Sequence, residues 1–359
     1  MKSGIIGLPQ VGKTSLFRIL TKVTLSAQAH SNPREAHIGV AKVPDERLDK
    51  LAALYNPKKL THASVEYVDV GAIGQDALKE TAYIGHLRQV DALIHVLRAF
   101  ENDAIPHVGP IDPLRDIKNV EFDLMVSDLG QIEKRLERLE KDLKKMKTPE
   151  LEKENELLIK AKAQIEAEKP LREMDFKPEE KKAVTGFTFL TQKPMLYVLN
   201  LGEDEVSDLD RAIEKHKLEK LTTKPQTAVV PFCGKIEAEL AELPDAEAAE
   251  MMKAYGIAES GRDRLIQATY RLLGLISFLT CGEPECRAWT IERGMTAQKA
   301  AGAIHSDIEK NFIKAEVVRW QDLLAAGSFA VAKERGQFRL EGKEYIVQDG
   351  DVILFRHGG

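Results

Sequence analysis

The chain has 359 residues, and domains of about 150 residues are typical, so its length predicts two or three domains with buried cores. Apolar residues make up 43% and charged residues 30%, an ordinary globular balance that excludes disorder for most of the chain. The 52 Lys and Arg residues against 57 Asp and Glu residues leave a net charge of −5, which excludes a basic field over the whole chain for nucleic acid.

Short apolar runs alternate with helical patterns over the first hundred residues. Strands are predicted over residues 3–6, 64–69 and 92–97, and a helix over 14–20. This alternation is typical of a parallel sheet covered by helices, and it predicts a doubly wound α/β nucleotide-binding domain. Strand patterns return at residues 194–200 and 228–232, so the domain resumes after an insertion.

The insertion has the apolar spacing of a coiled coil. Apolar residues recur at alternating intervals of three and four at Leu129, Ile132, Leu136, Leu139, Leu143 and Met146. A break at residues 147–149 ends this run, and Leu151, Leu158 and Ile165 continue it at intervals of seven. The two segments are therefore predicted to fold back as an antiparallel helical hairpin. Its charged outer face fits either a self-contained hairpin or a surface for a partner.

The last part of the chain predicts a small α+β module. A helix is expected over 262–276, and strand patterns follow at 287–291, 337–340, 345–347 and 352–356. The predicted organisation is thus an α/β domain over 1–111 and 186–276, a helical arm over 112–185, and a C-terminal module over 277–359.

One stretch carries the pattern of a phosphate-binding loop, or P-loop. Residues 7–14 read G-x-x-x-x-G-K-[ST], and they follow a predicted strand and precede a predicted helix, which is the context that this motif requires. Backbone N–H groups of such a loop surround phosphate oxygens, its lysine reaches the β- and γ-phosphates, and its threonine hydroxyl coordinates Mg²⁺. The predicted nucleotide-binding residues are Gly7, Gln10, Val11, Gly12, Lys13, Thr14 and Ser15.

Later strand ends complete the predicted site. Asp69 ends a predicted strand, where a P-loop protein needs a carboxylate, so Thr14 and Asp69 are the predicted Mg²⁺ residues. Two loops after later strands are candidates for contacts with the base, and they hold Asn200, Leu201, Glu203, Cys233, Gly234 and Lys235. Asn200 would either brace the P-loop or contact the base, and Leu201 would pack on the face of the base.

The remaining composition bears on compartment and partners. No run of about 18 apolar residues exists, and the first residues hold too short an apolar stretch for a signal peptide, so we expect a cytoplasmic protein without membrane contact. Cys233, Cys281 and Cys286 form no C-x-x-C pair, which argues against a disulfide framework or a cysteine zinc site and predicts buried, reduced thiols. No pattern demands a dimer, so we expect a monomer.

Longer stretches resemble the YchF family of Obg-related ATPases, and the resemblance runs over nearly the whole chain. The matching stretches include GLPQVGKTSLF at residues 7–17, KPMLYVLNLGEDE at 193–205 and EGKEYIVQDGDVILFR at 341–356. Members of that family carry a coiled-coil arm inserted in a P-loop NTPase domain and a C-terminal TGS domain, which resembles ubiquitin-like folds. The resemblance therefore implies the same three parts here, a ribosomal or ribosomal RNA partner, and ATP in preference to GTP.

The resemblance also implies roles for site residues. The base-reading segment of the family is N-x-x-E, which Asn200 and Glu203 match. The family has an apolar residue where many GTPases have a water-positioning glutamine, and Ile73 is the counterpart here. A loop histidine takes over that role, and His107 stands at the matching position. His107 and Lys13 are accordingly the expected catalytic residues, since a histidine can orient the attacking water and a lysine can stabilise phosphoryl charge.

Two stretches depart from the family pattern. The first switch of the family carries a Mg²⁺-binding threonine, but residues 33–37 here read PREAH, so Glu35, His37 or water would have to make that contact. The second switch of the family has a glycine at the position of Ala72, and this chain has Gly71 one residue earlier. These departures predict a slower or partly degenerate member of the family.

Other functions stay open on the sequence alone. A GTPase of the same fold would differ in its base contacts, and a scaffold would hold nucleotide or RNA without hydrolysis. A small-molecule phosphotransferase would need a second substrate pattern, which the sequence lacks. A cluster around a predicted hairpin, either an RNA contact or ordinary solvated charge, comprises Lys333, Arg335, Phe338, Arg339 and Lys343. DNA is not an expected partner.

Overall fold

The computed structural model describes residues 1–23, 36–70, 81–105 and 109–358. The strands are β1 (Lys2–Ile6), β2 (His37–Lys42), β3 (Leu60–Thr61), β4 (Ser64–Asp69), β5 (Ala92–Ala99), β6 (Met195–Leu201), β7 (Thr227–Phe232), β8 (Leu275–Thr280), β9 (Cys286–Glu292), β10 (Phe312–Arg319), β11 (Arg339–Glu341) and β12 (Asp351–His357). The α-helices are α1 (Lys13–Thr21), α2 (Glu46–Tyr55), α3 (Thr81–Arg88), α4 (Pro113–Lys145), α5 (Pro149–Glu166), α6 (Pro178–Val184), α7 (Leu209–Lys215), α8 (Gly234–Glu242), α9 (Asp245–Ala254), α10 (Gly261–Leu272), α11 (Ala297–Gly302), α12 (Ser306–Lys310), α13 (Trp320–Ala326) and α14 (Phe329–Glu334). Short 3₁₀ turns lie at Leu171–Glu173, Thr185–Phe187, Glu203–Glu205 and Glu219–Leu221.

The chain divides into two compact units, and the first comprises residues 1–40 and 66–268. Its sheet has the strand order β2-β4-β1-β5-β6-β7, and β1 pairs in parallel with β4 and β5, as β6 does with β5 and β7. The central strands β5 and β6 are buried along their whole length. Parallel strands covered on both faces are typical of an α/β domain, so the predicted mixed α/β class is confirmed.

The carboxyl ends of the parallel strands meet at one edge of this sheet, where ligands of open α/β sheets bind. The P-loop follows β1, Asp69 ends β4, and Asn200 lies near the end of β6. Beneath this edge, a core cluster packs residues of the sheet against α4, and it includes Ile6, Leu93, Leu97, Leu124 and Leu199. The rigid sheet therefore holds the loops of the candidate site in place.

Two long helices, α4 and α5, form the inserted helical arm. Asp112 caps α4 by accepting a hydrogen bond from Arg115 N, and Thr148 caps α5 by accepting one from Leu151 N. One apolar cluster holds pattern residues of both helices, namely Leu129, Ile132, Leu136, Leu139, Leu151, Leu158 and Ile165. Met146, the last residue of the first predicted run, is exposed because it lies beyond the end of α4. Although α4 is long, no helix among the described residues has the length and apolar composition needed to cross a membrane.

The second unit joins residues 41–65 to the C-terminal part of the chain from Thr269. Its sheet has the order β11-β10-β12-β8-β9-β3, in which β8 and β9 form an antiparallel hairpin and β3 runs parallel to β9. The sequence analysis placed residues 41–65 in the α/β domain instead. The difference arises from contacts between residues that are far apart in the sequence. β3 extends the sheet beside β9, and a guanidinium nitrogen of Arg47 in α2 lies 3.0 Å from a carboxylate oxygen of Asp349.

Three predicted elements of the C-terminal region differ from the structure. The helix predicted over 262–276 ends at Leu272, because Gly274 adopts a left-handed φ of 68° and β8 begins directly after it. The strand predicted over 345–347 makes a single bridge, between Ile346 and Thr296. The strand predicted over 337–340 begins only at Arg339, where pairing with β10 starts.

Candidate nucleotide-binding site

The P-loop depends on two glycines with left-handed backbones. Gly7 has a φ of 146° and Gly12 a φ of 102°, a region that favours glycine. A Cβ atom at Gly7 would lie 2.6 Å from Val96 O, and one at Gly12 would lie 2.7 Å from Asn200 Nδ2. Both positions therefore exclude larger residues. The other predicted loop residues divide by exposure, with Gln10, Thr14 and Ser15 exposed and Val11 buried.

Lys13 begins α1, and the loop itself holds its ammonium group. Nζ donates to Gly7 O at 3.0 Å and to Leu8 O at 2.7 Å, and the side chain is only 6% exposed. Burial lowers the pKa of Lys13 to about 8, and the Asp69 carboxylate opposes part of this shift. A buried cation with few counter-charges is stabilised by an anionic ligand, as phosphate binding requires. The two backbone carbonyls were not predicted, because backbone acceptors leave no trace in the sequence.

Thr14 and Asp69 meet beside the P-loop, as the sequence predicts for a metal pair. Thr14 Oγ1 donates to Asp69 Oδ2 at 3.1 Å, and Asp69 is buried at the end of β4. A hydroxyl and a carboxylate are oxygen donors of the kind that Mg²⁺ prefers, with water completing its coordination. The residues present thus fit Mg²⁺. Across residues 1–23, 36–70, 81–105 and 109–358, no group of three or more His, Cys, Asp or Glu residues could hold a metal.

Asn200 joins the P-loop to a second loop of the site. Its Nδ2 donates to Val11 O at 3.0 Å, and its Oδ1 accepts from Gly234 N at 2.9 Å. Of the two roles that the sequence left open, the structure shows bracing, because both amide atoms bond to the backbone. The P-loop and the loop after β7 are therefore joined to each other by one side chain.

The other candidate base residues divide into buried and exposed pairs. Leu201 is 2% exposed and lies in the core cluster, because β6 extends one residue past the predicted strand end and includes it. The sequence suggested that Leu201 packs on the face of the base, and the structure places it in the core instead. Cys233 is also buried, and burial raises the pKa of its thiol. Glu203 and Lys235 are exposed and form an ion pair at 2.5 Å. Their polar ends face solvent at this edge of the sheet.

Some predicted features lie outside the described residues. These are the catalytic candidate His107, residues 33–35 of the first switch, and residues 71–74 of the second switch, which include Ile73 and Ala72. His37, the alternative contact of the first switch, lies at the start of β2. The described site therefore comprises the P-loop, the Thr14–Asp69 pair, the Asn200 brace and the exposed Glu203–Lys235 pair.

The whole chain is similar to proteins with known names. Ribosome-binding ATPase YchF of Bacillus subtilis (strain 168) is 44% identical over 364 residues, which cover 99% of this chain and 99% of that protein. Its namesake in Escherichia coli O157:H7 is 39% identical, with 99% of this chain and 98% of that protein covered. The chain belongs to the YchF family. The family membership inferred from the sequence motifs is thus confirmed.

Structure and more distant relatives agree with membership of the YchF family. The solved structure of the Schizosaccharomyces pombe YchF GTPase matches with a TM-score of 0.85 and 32% identity, covering 99% of this chain and 97% of that chain. Obg-like ATPase 1 of Oryza sativa subsp. japonica is 36% identical, with 99% of this chain and 92% of that protein covered. A family described as "YchF-GTPase_C: Protein of unknown function (DUF933)" matches residues 275–358. The fold is thus the P-loop NTPase fold of YchF proteins.

The lowered pKa of Lys13 predicts proton uptake when nucleotide binds. With a pKa of about 8 in the free chain, Lys13 is partly neutral at about pH 8.5. Phosphate charge favours the protonated form and raises this pKa, so binding draws a fraction of a proton from the buffer. Calorimetric heats of Mg²⁺–nucleotide binding at about pH 8.5 are then expected to change with the ionisation enthalpy of the buffer.

Two controls identify Lys13 as the proton acceptor. At about pH 6.5 the lysine is already protonated in the free chain, so the buffer dependence due to Lys13 disappears. A Lys13→Met chain lacks the proton uptake due to Lys13 at about pH 8.5. Heats that are independent of the buffer at about pH 8.5 would show that the charge of Lys13 is not coupled to the phosphates.

Proposed function

We propose that the chain is a Mg²⁺-dependent nucleotide switch that binds and slowly hydrolyses ATP and that engages the ribosome. The observation that carries this proposal is the convergence of Lys13, Thr14 and Asp69 on a glycine-shaped loop at the carboxyl edge of the sheet. The names of its relatives, ribosome-binding ATPase among them, support ATP as the substrate and the ribosome as the partner.

Each residue of the site has a distinct role in this proposal. Lys13 exchanges its two carbonyl partners for the β- and γ-phosphates and stabilises the charge of the transferred phosphoryl group. Thr14 and Asp69 would hold Mg²⁺, directly or through water, and the ion would neutralise phosphate charge. His107, assigned by its position in the family pattern, orients the attacking water.

The exposed Glu203–Lys235 pair is the proposed base contact. The adenine amino group is a hydrogen-bond donor, and the Glu203 carboxylate is an acceptor that remains open to solvent beside Lys235. Guanine also presents N–H donors to a carboxylate, and the fission-yeast relative is named a GTPase. GTP is therefore the second candidate substrate, and the site residues are the same for both.

The helical arm and the C-terminal module are the proposed ribosomal contacts. We take residues 277–359 as a TGS domain and α4 with α5 as a coiled-coil lever, in a cytoplasmic monomer whose switch loops respond to nucleotide. In the basic cluster of the C-terminal module, Arg339 lies 3.7 Å from Asp351 and Phe338 packs on Phe329. Part of that cluster is thus engaged within the module, which favours the arm as the larger contact surface.

The test is calorimetric binding of ATP and of GTP with Mg²⁺, followed by phosphate release from the nucleotide that binds. Tighter ATP binding with slow release is expected, and His107→Ala is expected to abolish release while binding persists. His357→Ala changes an exposed histidine far along the chain and serves as the matched control. Preference for GTP would reassign the base contact, and binding without release above the Lys13→Ala background would indicate a scaffold.

A further inference from the structure

The second unit contains a pair of cysteines that the proposed function does not use. Cys281 follows β8, Cys286 begins β9, and residues 282–285 form the turn between them. The strand register pairs Thr280 with Arg287, so the two cysteines face each other one step nearer the turn. Facing residues of antiparallel strands have neighbouring side chains, so the register places the two thiols next to each other.

The place of this pair in the hydrogen-bond ladder suits a disulfide. In an antiparallel hairpin, facing residues alternate between pairs that are joined by backbone hydrogen bonds and pairs that are not. Gly274 and Arg293 are a bonded pair, because Arg293 N donates to Gly274 O at 2.8 Å. Counted from that pair along the register, Cys281 and Cys286 are a non-hydrogen-bonded pair. Consistent with this, Cys286 N donates at 3.0 Å to Lys59 O, next to β3, on the side away from β8. Cα atoms in such pairs are about 4.5 Å apart, within the range of about 4.4–6.8 Å that disulfides span.

We propose that Cys281 and Cys286 form a reversible cross-strand disulfide when the chain meets a small disulfide oxidant. Both cysteines are free thiols in the structure, and they differ in access. Cys286 is fully buried, whereas Cys281 is half-buried beside the turn of the hairpin. Cys281 is therefore the residue that an oxidant reaches first, and Cys286 is the residue that closes the bond. The backbone is already paired, so closure requires no rearrangement of the strands.

The reaction is a balanced thiol–disulfide exchange. The Cys281 thiolate attacks one sulfur of the oxidant, a mixed disulfide forms, and the first thiolate of the oxidant leaves. The Cys286 thiolate then attacks Cys281 Sγ, the protein disulfide forms, and the second thiolate leaves. The two protons of the cysteine thiols pass through solvent to the two departing thiolates. Two electrons move from the protein to the oxidant, which ends as two thiols, and a dithiol reductant reverses the sequence.

Burial determines how fast this modification proceeds. It raises the pKa of the Cys281 thiol, and the neighbouring Cys286 raises it further. Because the thiolate is the attacking species, oxidation is slow at neutral pH. As long as the pH stays below that pKa, each rise of one pH unit increases the oxidation rate roughly tenfold. The disulfide therefore forms during prolonged exposure to the oxidant, and brief exposure at neutral pH leaves both thiols reduced.

The test uses the full chain and the small disulfide cystamine under native conditions. After alkylation of free thiols, tryptic residues 272–287 hold both cysteines with no internal Lys or Arg, so the disulfide appears as a loss of ~2 Da in one unalkylated peptide. Further cleavage after Glu285 leaves the two fragments joined until reduction. We expect the linked peptide at about pH 8.5, its loss on adding dithiothreitol, and slower formation at about pH 7.

Three variants separate this disulfide from other thiol chemistry. Cys286→Ala is expected to stop at a mixed disulfide on Cys281, and Cys281→Ala to leave Cys286 largely unmodified. Cys233→Ala removes the remaining cysteine, which lies in the first unit, and is expected to form the link at the wild-type rate. Circular dichroism checks that each variant is folded. If a variant is unfolded, the peptide map of the wild-type chain alone decides the result. A wild-type chain that carries only mixed disulfides, or a link through Cys233, would overturn the proposal.

Discussion

Replacing Lys13 with methionine is expected to lower nucleotide hydrolysis by about 10²- to 10³-fold without lowering the stability of the folded chain. The loss follows because the ammonium group is the buried cation of the P-loop and no other side chain of that loop carries positive charge. Stability is expected to hold or to rise, because a pKa of about 8 means that the fold disfavours the charged lysine. Methionine fills a similar volume without that cost of desolvation.

Phosphate release at saturating Mg²⁺–nucleotide and a thermal melt measure the two effects on the same preparation. Lys22→Met is the matched control, since Lys22 is exposed at the other end of α1 and its loss should leave the rate unchanged. Wild-type hydrolysis by Lys13→Met would contradict the assigned role. A large fall in melting temperature would instead mean that the bonds to Gly7 O and Leu8 O are structural.

Replacing Arg172 with methionine is expected to lower the free energy of unfolding by about 3–5 kcal/mol. The Arg172 side chain is 3% exposed and pairs with Glu121, which also accepts from Tyr197 Oη at 2.6 Å. These three residues come from the turn after α5, from α4 and from β6, so they join the base of the arm to the sheet. Without Arg172, the Glu121 carboxylate is left buried without its cation.

Urea denaturation of matched variants tests this argument. Arg135→Met breaks the more exposed pair with Glu154, whose side chains are 30% and 22% exposed, and should cost less than about 1 kcal/mol. The double change Arg172→Met and Glu121→Leu removes both charges and is expected to recover most of the stability. Equal losses for the single and the double change would show that packing, rather than an unpaired charge, sets the cost.

The parts of the site that the sequence predicts best are those written in consecutive residues. The P-loop needs a strand, eight residues and a helix start in one stretch, so its pattern predicts the roles of Lys13 and Thr14 directly. Asp69 is separate in sequence, yet parallel strands bring their ends to one edge, and the structure bonds it to Thr14. The heptad spacing of the arm is similarly local and places Ile132 and Leu158 in one cluster.

Features that depend on distant partners escaped prediction for physical reasons. β3 has two residues and no periodicity, so nothing in its sequence predicts pairing with β9 more than 200 residues later. Arg172 and Glu121 are charged types that usually lie in solvent, and only tertiary contact buries them together. Whether Asn200 faces the base or the backbone depends on side-chain orientation, which a strand pattern does not specify.

The division of the second unit between two stretches of chain constrains the order in which the protein can fold as it is made. Residues 41–65 precede their partners in β9 and α13 by more than 200 residues. At about 5–20 residues per second, the ribosome needs roughly 10–50 s to supply those partners. Throughout that interval, Leu48 and Leu51 of α2 lack the apolar surface that later buries them. The nascent chain thus carries the apolar face of α2 without its partners during most of its synthesis.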